Sequence, residues 1–175
     1  MWIESIGPAS ATGELKALYE RIAGVRGGVA HIHQAQSLNP KVLATHFELY
    51  KAVMFQPSPL SRADREALAV AVSRANSCDY CVAHHGDALR QLRAESTLPQ
   101  VVFDWAARLA RNPEAASPDD IAALRAAGLT DRAILDAVLT VAYFSYANRL
   151  VLALGLALES GFEATCRPEL DRDSA

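Results

Sequence analysis

Apolar residues along this 175-residue chain recur at helical spacing, and the alternation that marks half-buried strands is scarce. Ala, Leu, Glu and Arg, all good helix formers, dominate the composition. Such a chain is restricted to an all-α fold, and its punctuation residues divide it into helices. The first is expected near residues 10–23, with Leu15, Leu18, Tyr19 and Ile22 on one face, before a break at Gly24–Gly28. Residues 29–38 read ambiguously. Asn39 can cap and Pro40 can open a helix that ends before Pro57. Ser61, with Asp64 three residues on, forms a capping signal for a helix to about Arg74. Asn76-Ser77 is a break with a fresh N-cap, followed by a helix from about Cys78 to Arg93. Pro99 opens another, carrying Val102, Phe103, Trp105 and Leu109. Ser117-Pro118-Asp119-Asp120 starts a short one that stops at Gly128. Thr130-Asp131 caps the last and longest, expected to reach about Glu159 before Gly161.

The length fits a single domain, with a core of about 10–162 and a loose polar tail at 167–175. The formal net charge of −3 and the lack of a long basic run exclude an electrostatic nucleic-acid binder. Three cysteines, an odd number, do not make a disulfide-stapled module. The first residues lack a basic stretch ahead of an apolar one, so no signal peptide is expected, and the expected location is cytoplasmic. Residues 133–158 are mostly apolar, but Asp136 and Arg149 interrupt them, and the longest charge-free run there, 137–148, has 12 residues. A membrane span needs about 20. A helix buried in the core or at a subunit contact fits better, and a homo-oligomer is expected, because soluble monomers rarely expose large apolar patches.

The chemistry concentrates between Glu66 and His85, in the stretch EALAVAVSRANSCDYCVAHH. On a helix, Cys78, Cys81 and His85 stand at i, i+3 and i+7, within about 60° of one another. The two cysteines are close enough for a reversible disulfide, and His85 lies one turn beyond Cys81. His84 sits off that face. On one straight helix Glu66 would be roughly 20 Å from Cys81. The Asn76-Ser77 break allows a hairpin instead, which brings Glu66 level with His85. Glu66 shares an apolar face with Ala63 and Val70, so its carboxylate needs a partner, and His85 is the candidate. Glu66 can then orient His85, His85 can take a thiol proton and return it to a leaving oxygen, and the second cysteine can resolve the oxidised sulfur as a disulfide. A zinc site from Cys78, Cys81 and the histidines is a competing reading, weakened by the divergence of His84 and His85. So are two inert buried cysteines.

The pattern Glu-x11-Cys-x2-Cys-x3-His, here Glu66, Cys78, Cys81 and His85, resembles the AhpD-like alkylhydroperoxidase and carboxymuconolactone decarboxylase superfamily. SRANSCDYCVAHH is most similar to its peroxidase-related branch, and Asn148-Arg149 also looks family-like. The resemblance implies an all-helical fold, assembly into trimers or hexamers, Cys81 as the peroxide-attacking thiol and Cys78 as the resolving one. It also implies a proton relay through Glu66 and His85. The residues by themselves leave the cysteine order open: a helix N-terminus favours Cys78 as thiolate, whereas the one-turn spacing to His85 favours Cys81. Well-studied peroxidases of the superfamily carry a histidine where this chain has Tyr80, a poor base near neutral pH, so the relay here is shorter. The decarboxylase members lack the cysteine pair.

The expected function is therefore a thiol-dependent hydroperoxide reductase, acting on a small hydroperoxide and recharged by a dithiol donor that the sequence does not name. No metal, flavin or nucleotide motif is present, so no cofactor is expected. The alternatives are a redox-sensing or partner-binding helical oligomer and a zinc-stabilised helical protein. Elsewhere, His31, His33 and His46 read as satisfied or exposed rather than pocket-lining, and Cys166 as a free surface thiol. Trp2 and Trp105 read as packing residues. Arg149 is expected to pair with a carboxylate or sit at a subunit boundary, and Tyr143, Phe144 and Tyr146 to fill the core or an interface.

Overall fold

A computed structural model describes residues 1–166. It has eight α-helices: α1 (Gly13–Arg26), α2 (His31–Gln34), α3 (Pro40–Phe55), α4 (Arg62–Ala75), α5 (Asp79–Gln91), α6 (Gln100–Arg111), α7 (Pro118–Ala126) and α8 (Asp131–Ala153). Short 3-10 turns lie at Pro8–Ser10, Pro113–Ala115 and Phe162–Thr165, and no strand occurs among the described residues. The fold is all-α, as the periodicity requires. The expected tail at 167–175 lies outside the described residues.

Local signals set most helix starts. Asn39 Oδ1 accepts from the Val42 N–H at 3.3 Å. Ser61 and Asp64 form a reciprocal capping box, Asp64 N–H donating to Ser61 Oγ at 3.0 Å and Ser61 N–H to Asp64 Oδ2 at 2.9 Å. Thr130 Oγ1 accepts from Ala133 N–H.

Two helix ends differ from expectation. Helix α1 continues through Gly24 and stops at Gly27, whose φ of +86° suits glycine and whose N–H returns to the Ala23 carbonyl. Helix α8 stops at Ala153, well short of Glu159. Gly155 adopts φ +61°, and the Leu156 N–H bonds back to the Val151 carbonyl at 3.0 Å, closing a left-handed cap. The Trp2 indole lies against Gly155, where any Cβ would overlap it, and Trp2 N–H donates to the Leu154 carbonyl. Trp2 is otherwise 76% exposed, so it braces a turn rather than filling the core. The chain after Ala153 consequently doubles back towards α2 and α5 instead of extending α8.

Helix α4 sits at the centre, packed against α5, α6 and α8. Leu68 and Val72 of α4, Phe47 and Met54 of α3, Val102 of α6 and Phe144 of α8 are fully buried together. Each contributes about 1.5–3 kcal/mol by leaving water. Trp105 and Tyr143 are buried in the same core, while Tyr146 is partly exposed. Arg149 is exposed and donates to the Ser145 carbonyl at 2.8 Å, in place of the expected carboxylate pairing. No helix among the described residues is long and apolar enough to cross a membrane.

Candidate active site

The α4–α5 hairpin builds the site. Helix α4 ends with Ser77 N–H bonded to the Arg74 carbonyl and Cys78 N–H to the Ser73 carbonyl at 2.8 Å. That closure needs a left-handed residue, and Ser77 supplies it at φ +56°, a conformation costing a non-glycine residue roughly 1–2 kcal/mol. Asn148 of α8 offsets this cost. It is buried, donates to Ser73 Oγ at 3.1 Å and accepts from Asn76 Nδ2 at 2.9 Å, tying α8 to the turn. The N-cap of α5 is therefore Cys78, one residue beyond the expected Asn76-Ser77 cap, and its side chain makes no capping bond.

Cys78 is fully buried and Cys81 is 3% exposed; they lie near each other, unbonded. A hydrogen bond from Cys81 holds the Cys78 thiol below its ordinary range, and Asn148 helps. The same bond, with burial, pushes Cys81 well above its own. Cys78 stands at the N-terminus of α5, where the helix dipole favours a thiolate.

The hairpin brings Glu66 and His85 together, with Nδ1 and Oε2 2.6 Å apart. Glu66 is fully buried. Burial alone would raise its carboxyl, but His85 and Arg62 overcome this through charge and hydrogen bonding and hold it at about 2. Arg62, one turn before Glu66, donates through Nε to Oε1 at 2.9 Å and again through Nη2. Its guanidinium lies 3.7 Å from the Phe55 ring centroid. Sequence reading missed Arg62, although an Arg–Glu pair at i, i+4 is a recognisable helical signal. Burial keeps His85 below its ordinary range despite Glu66. With Glu66 ionised and the imidazole neutral, the Nδ1 proton is donated to Glu66 and Nε2 retains its lone pair. The ring packs edge-on against Phe144, centroids 4.5 Å apart.

Cys81 and His85 line one cavity of about 50 Å³, together with Tyr50, Tyr143 and Phe144. Cys78 is absent from its lining. His84 and His33 also line it, so His33 does not fit the satisfied-or-exposed expectation. His46 does fit it: Nδ1 meets Gln36 Nε2 at 2.6 Å and Nε2 meets the Tyr143 hydroxyl at 2.8 Å. His31 Nδ1 lies 2.9 Å from the Ala157 carbonyl.

A second cluster surrounds His84. Cys166 is not a surface thiol; it is 1% exposed, with Sγ 3.4 Å from His84 Nδ1 and 3.3 Å from the Phe162 carbonyl. Burial pushes its thiol up to about 12. His84 Nε2 lies 3.4 Å from Glu159, and the Tyr80 hydroxyl donates to Glu159 at 3.3 Å and accepts from Ile32 N–H at 3.3 Å. The doubling back after α8 places Glu159 here, and the expected helix to Glu159 hid it. Among the described residues no three His, Cys, Asp or Glu groups cluster as metal ligands.

Comparison with known proteins agrees with this architecture. Residues 40–117, which include the whole hairpin, match the Carboxymuconolactone decarboxylase family. The structure of an uncharacterized peroxidase-related protein from Silicibacter sp. TM1040 is similar, with a TM-score of 0.77 and 27% identity over 88% of this chain and 89% of that one. An alkylhydroperoxidase AhpD core, an uncharacterized peroxidase-related protein from Ralstonia eutropha JMP134, gives a TM-score of 0.81 at 22% identity over 95% and 96% of the two chains, a likeness of fold. No curated protein matches. The family match thus covers the hairpin, and the fold is shared with these structures along nearly the whole length.

Proposed function

We propose that this protein is a thiol-dependent hydroperoxide reductase with Cys81, Cys78, His85 and Glu66 as its machinery. One observation carries the reading: a buried, ionised Glu66 holds a neutral His85 in the wall of a small cavity that Cys81 also lines. The relatives' description as peroxidase-related is in keeping with it. Cys81 is the attacking thiol because the cavity reaches it and not Cys78. His85 Nε2 takes the Cys81 proton, directly or through one water, and Glu66 stabilises the imidazolium that forms. The thiolate attacks the peroxide, the O–O bond breaks, and His85 returns the proton to the leaving oxygen. Cys81 becomes a sulfenic acid. Cys78, the more acidic of the pair, attacks it, forming the disulfide and releasing water. An external dithiol reduces the disulfide. A cavity of about 50 Å³ has room for a few water-sized groups, which restricts the substrate to small hydroperoxides.

The test is peroxide consumption with dithiothreitol as reductant. Turnover by the wild type and its loss in Cys81→Ser are expected; full activity in Cys81→Ser overturns the assignment.

A homo-oligomer, trimeric or hexameric, belongs to the same proposal. Leu135, Leu139 and Leu152 of α8 and Val42 and Leu49 of α3 are exposed apolar residues. Sedimentation as a single 18.8 kDa species at micromolar concentration would refute it.

A further inference from the structure

The cavity wall takes residues from several helices, among them Arg26 of α1, His33 of α2, Cys81 and His85 of α5, and Tyr143 of α8. Tyr143 ends a chain of hydrogen bonds whose directions follow one from another. Gln36 Nε2 lies 2.9 Å from the Ile32 carbonyl, which can only accept, so this atom is the amide nitrogen and donates. The Tyr146 hydroxyl, 3.5 Å from Gln36 Oε1, agrees with that orientation. The second N–H of the amide is donated to His46 Nδ1, 2.6 Å away, which makes that nitrogen an acceptor. Burial takes the His46 imidazole to about 4, so near neutral pH it carries a single ring proton. That proton sits on Nε2 and is donated to the Tyr143 oxygen at 2.8 Å. The Tyr143 hydroxyl therefore accepts from His46, and its own proton is not spent there. Burial, with Tyr50 and Cys81 close by, holds the phenol well above its ordinary range, so it keeps that proton. Among the described residues no group accepts it. A buried donor without an acceptor costs about 1–3 kcal/mol, and in a cavity wall it marks where a ligand accepts.

We propose that the Tyr143 hydroxyl is a further catalytic group, donating its hydrogen bond to the oxygen that leaves when Cys81 attacks the peroxide. The proposal deepens the reductase reading and rests on it. The Cys81 thiolate attacks the terminal oxygen of R–O–OH. An S–O bond forms, the O–O bond breaks, and its electron pair leaves on the inner oxygen. That oxygen takes the proton held by His85 and departs as R–OH. Cys81 is oxidised to the sulfenic acid and the peroxide is reduced to the alcohol, or to water where R is hydrogen. Charge develops on the leaving oxygen before the proton arrives, and the Tyr143 hydroxyl meets it there. His85 transfers a proton; Tyr143 keeps its own and stabilises. Gln36 and His46 set the direction of this donor before substrate enters, and a fixed donor shielded from water stabilises such charge most strongly. Its help matters most when the leaving group is poor, as with hydroxide from hydrogen peroxide. It matters least when a carboxylate leaves, as from peracetate.

Two measurements test this. In the first, reduced protein is mixed with hydrogen peroxide or with peracetate in a single turnover, and disulfide formation is followed by counting thiols after acid quench. Tyr143→Phe is expected to slow the hydrogen peroxide reaction by at least about 100-fold, the usual loss for one oxyanion donor, and the peracetate reaction by less than about fivefold. A merely structural loss would slow both alike. Tyr146→Phe removes a hydroxyl from the same network but outside the cavity wall, and should leave the ratio of the two rates unchanged. In the second, nitrogen NMR of histidine-labelled wild-type protein at pH 7.5 reads the His46 tautomer, independently of turnover and of how any variant folds. Nε2–H is expected. Nδ1–H would mean that the Tyr143 proton is spent on His46, and overturns the assignment. Equal losses with the two oxidants in Tyr143→Phe, or no loss, also overturn it and leave the reductase reading standing. Wild-type protein that reacts with neither oxidant defeats the reductase reading, and this assignment with it.

Discussion

His84 and His85 are neighbours on one helix, and each meets a carboxylate, yet the two settings differ in kind. His85 is held by Glu66, which is itself gripped by Arg62, all within the α4–α5 hairpin. His84 lies between Cys166 and Glu159, both supplied by the segment that doubles back after α8. The first carboxylate has both oxygens engaged. The second has Oε2 buried without a hydrogen-bond partner, and His84 Nε2 is in the same state. Helical residues supply the first set at 2.6–2.9 Å, whereas a turn-rich segment closes the second at 3.4 Å. The tight set is suited to proton transfer, and the loose one closes the site.

The sharpest way to break this contrast is at the thiols. Cys81→Ser should lower peroxide turnover by at least about 1,000-fold, because the proposed nucleophile is gone. Cys166→Ser should leave turnover within about twofold, since its thiol stays protonated near neutral pH. Steady-state assays with one reductant check both. A Cys166→Ser variant as inactive as Cys81→Ser would put the second cluster into the chemistry.

The carboxylates give the next largest difference. Glu66→Gln leaves Arg62, which is mostly buried, without its ionic partner, and breaking a buried pair costs about 3–5 kcal/mol. Glu159→Gln removes longer contacts in a half-exposed segment and should cost about 1 kcal/mol. Urea denaturation of the two variants at pH 7.5 measures the gap. Equal losses would erase the distinction between hairpin and closing segment.

Acid separates them further. Burial lowers His33, His46 and His85, and takes His46 to about 4. Below the unfolded value of about 6.5 the unfolded chain binds protons that the folded chain refuses, so stability falls as pH drops from about 6.5 to 4. His46 alone contributes roughly 3 kcal/mol of that loss. Glu66 acts lower down. Its depressed carboxyl lends stability that is complete above its unfolded value of about 4.3 and lost as pH falls towards 2. Denaturation midpoints at pH 7.5, 5.5 and 4.5 should decline, and His46→Gln should flatten that decline. A wild-type curve level from pH 7 to 5 would mean these imidazoles are not buried neutral.

The same contrast explains what could be read from residues alone. Asn39, Ser61 with Asp64, and Thr130 act on backbone groups three positions away, so their helices are visible in sequence. Glu66 meeting His85 was reachable because a break at residues 76–77 plus helical rise sets the register of a hairpin. The His84 cluster was not reachable. It depends on Gly155 reversing the chain under Trp2, and an apolar run of the kind that precedes it reads as continuing helix. Cys166, close to a polar tail, carries no pattern that reports burial. Arg26 and His33 meet at the cavity only through the packing of α1 and α2 on α3 and α8.

Tyr80 tests the boundary between the two regions, because it stands between the cysteines in sequence and belongs to the second cluster in space. Its hydroxyl joins Ile32 N–H and Glu159 at 3.3 Å each, and burial, with the Glu159 charge, pushes the phenol's pKa up, so it keeps its proton near neutral pH and cannot serve as a base. Tyr80→Phe removes one donor and one acceptor at long distances, so a loss of about 1 kcal/mol is expected. Turnover should change by less than about twofold, because His85 and Glu66 keep their geometry. A tenfold fall in turnover with stability intact would instead make the phenol a proton donor to the cysteines, and the two regions a single site.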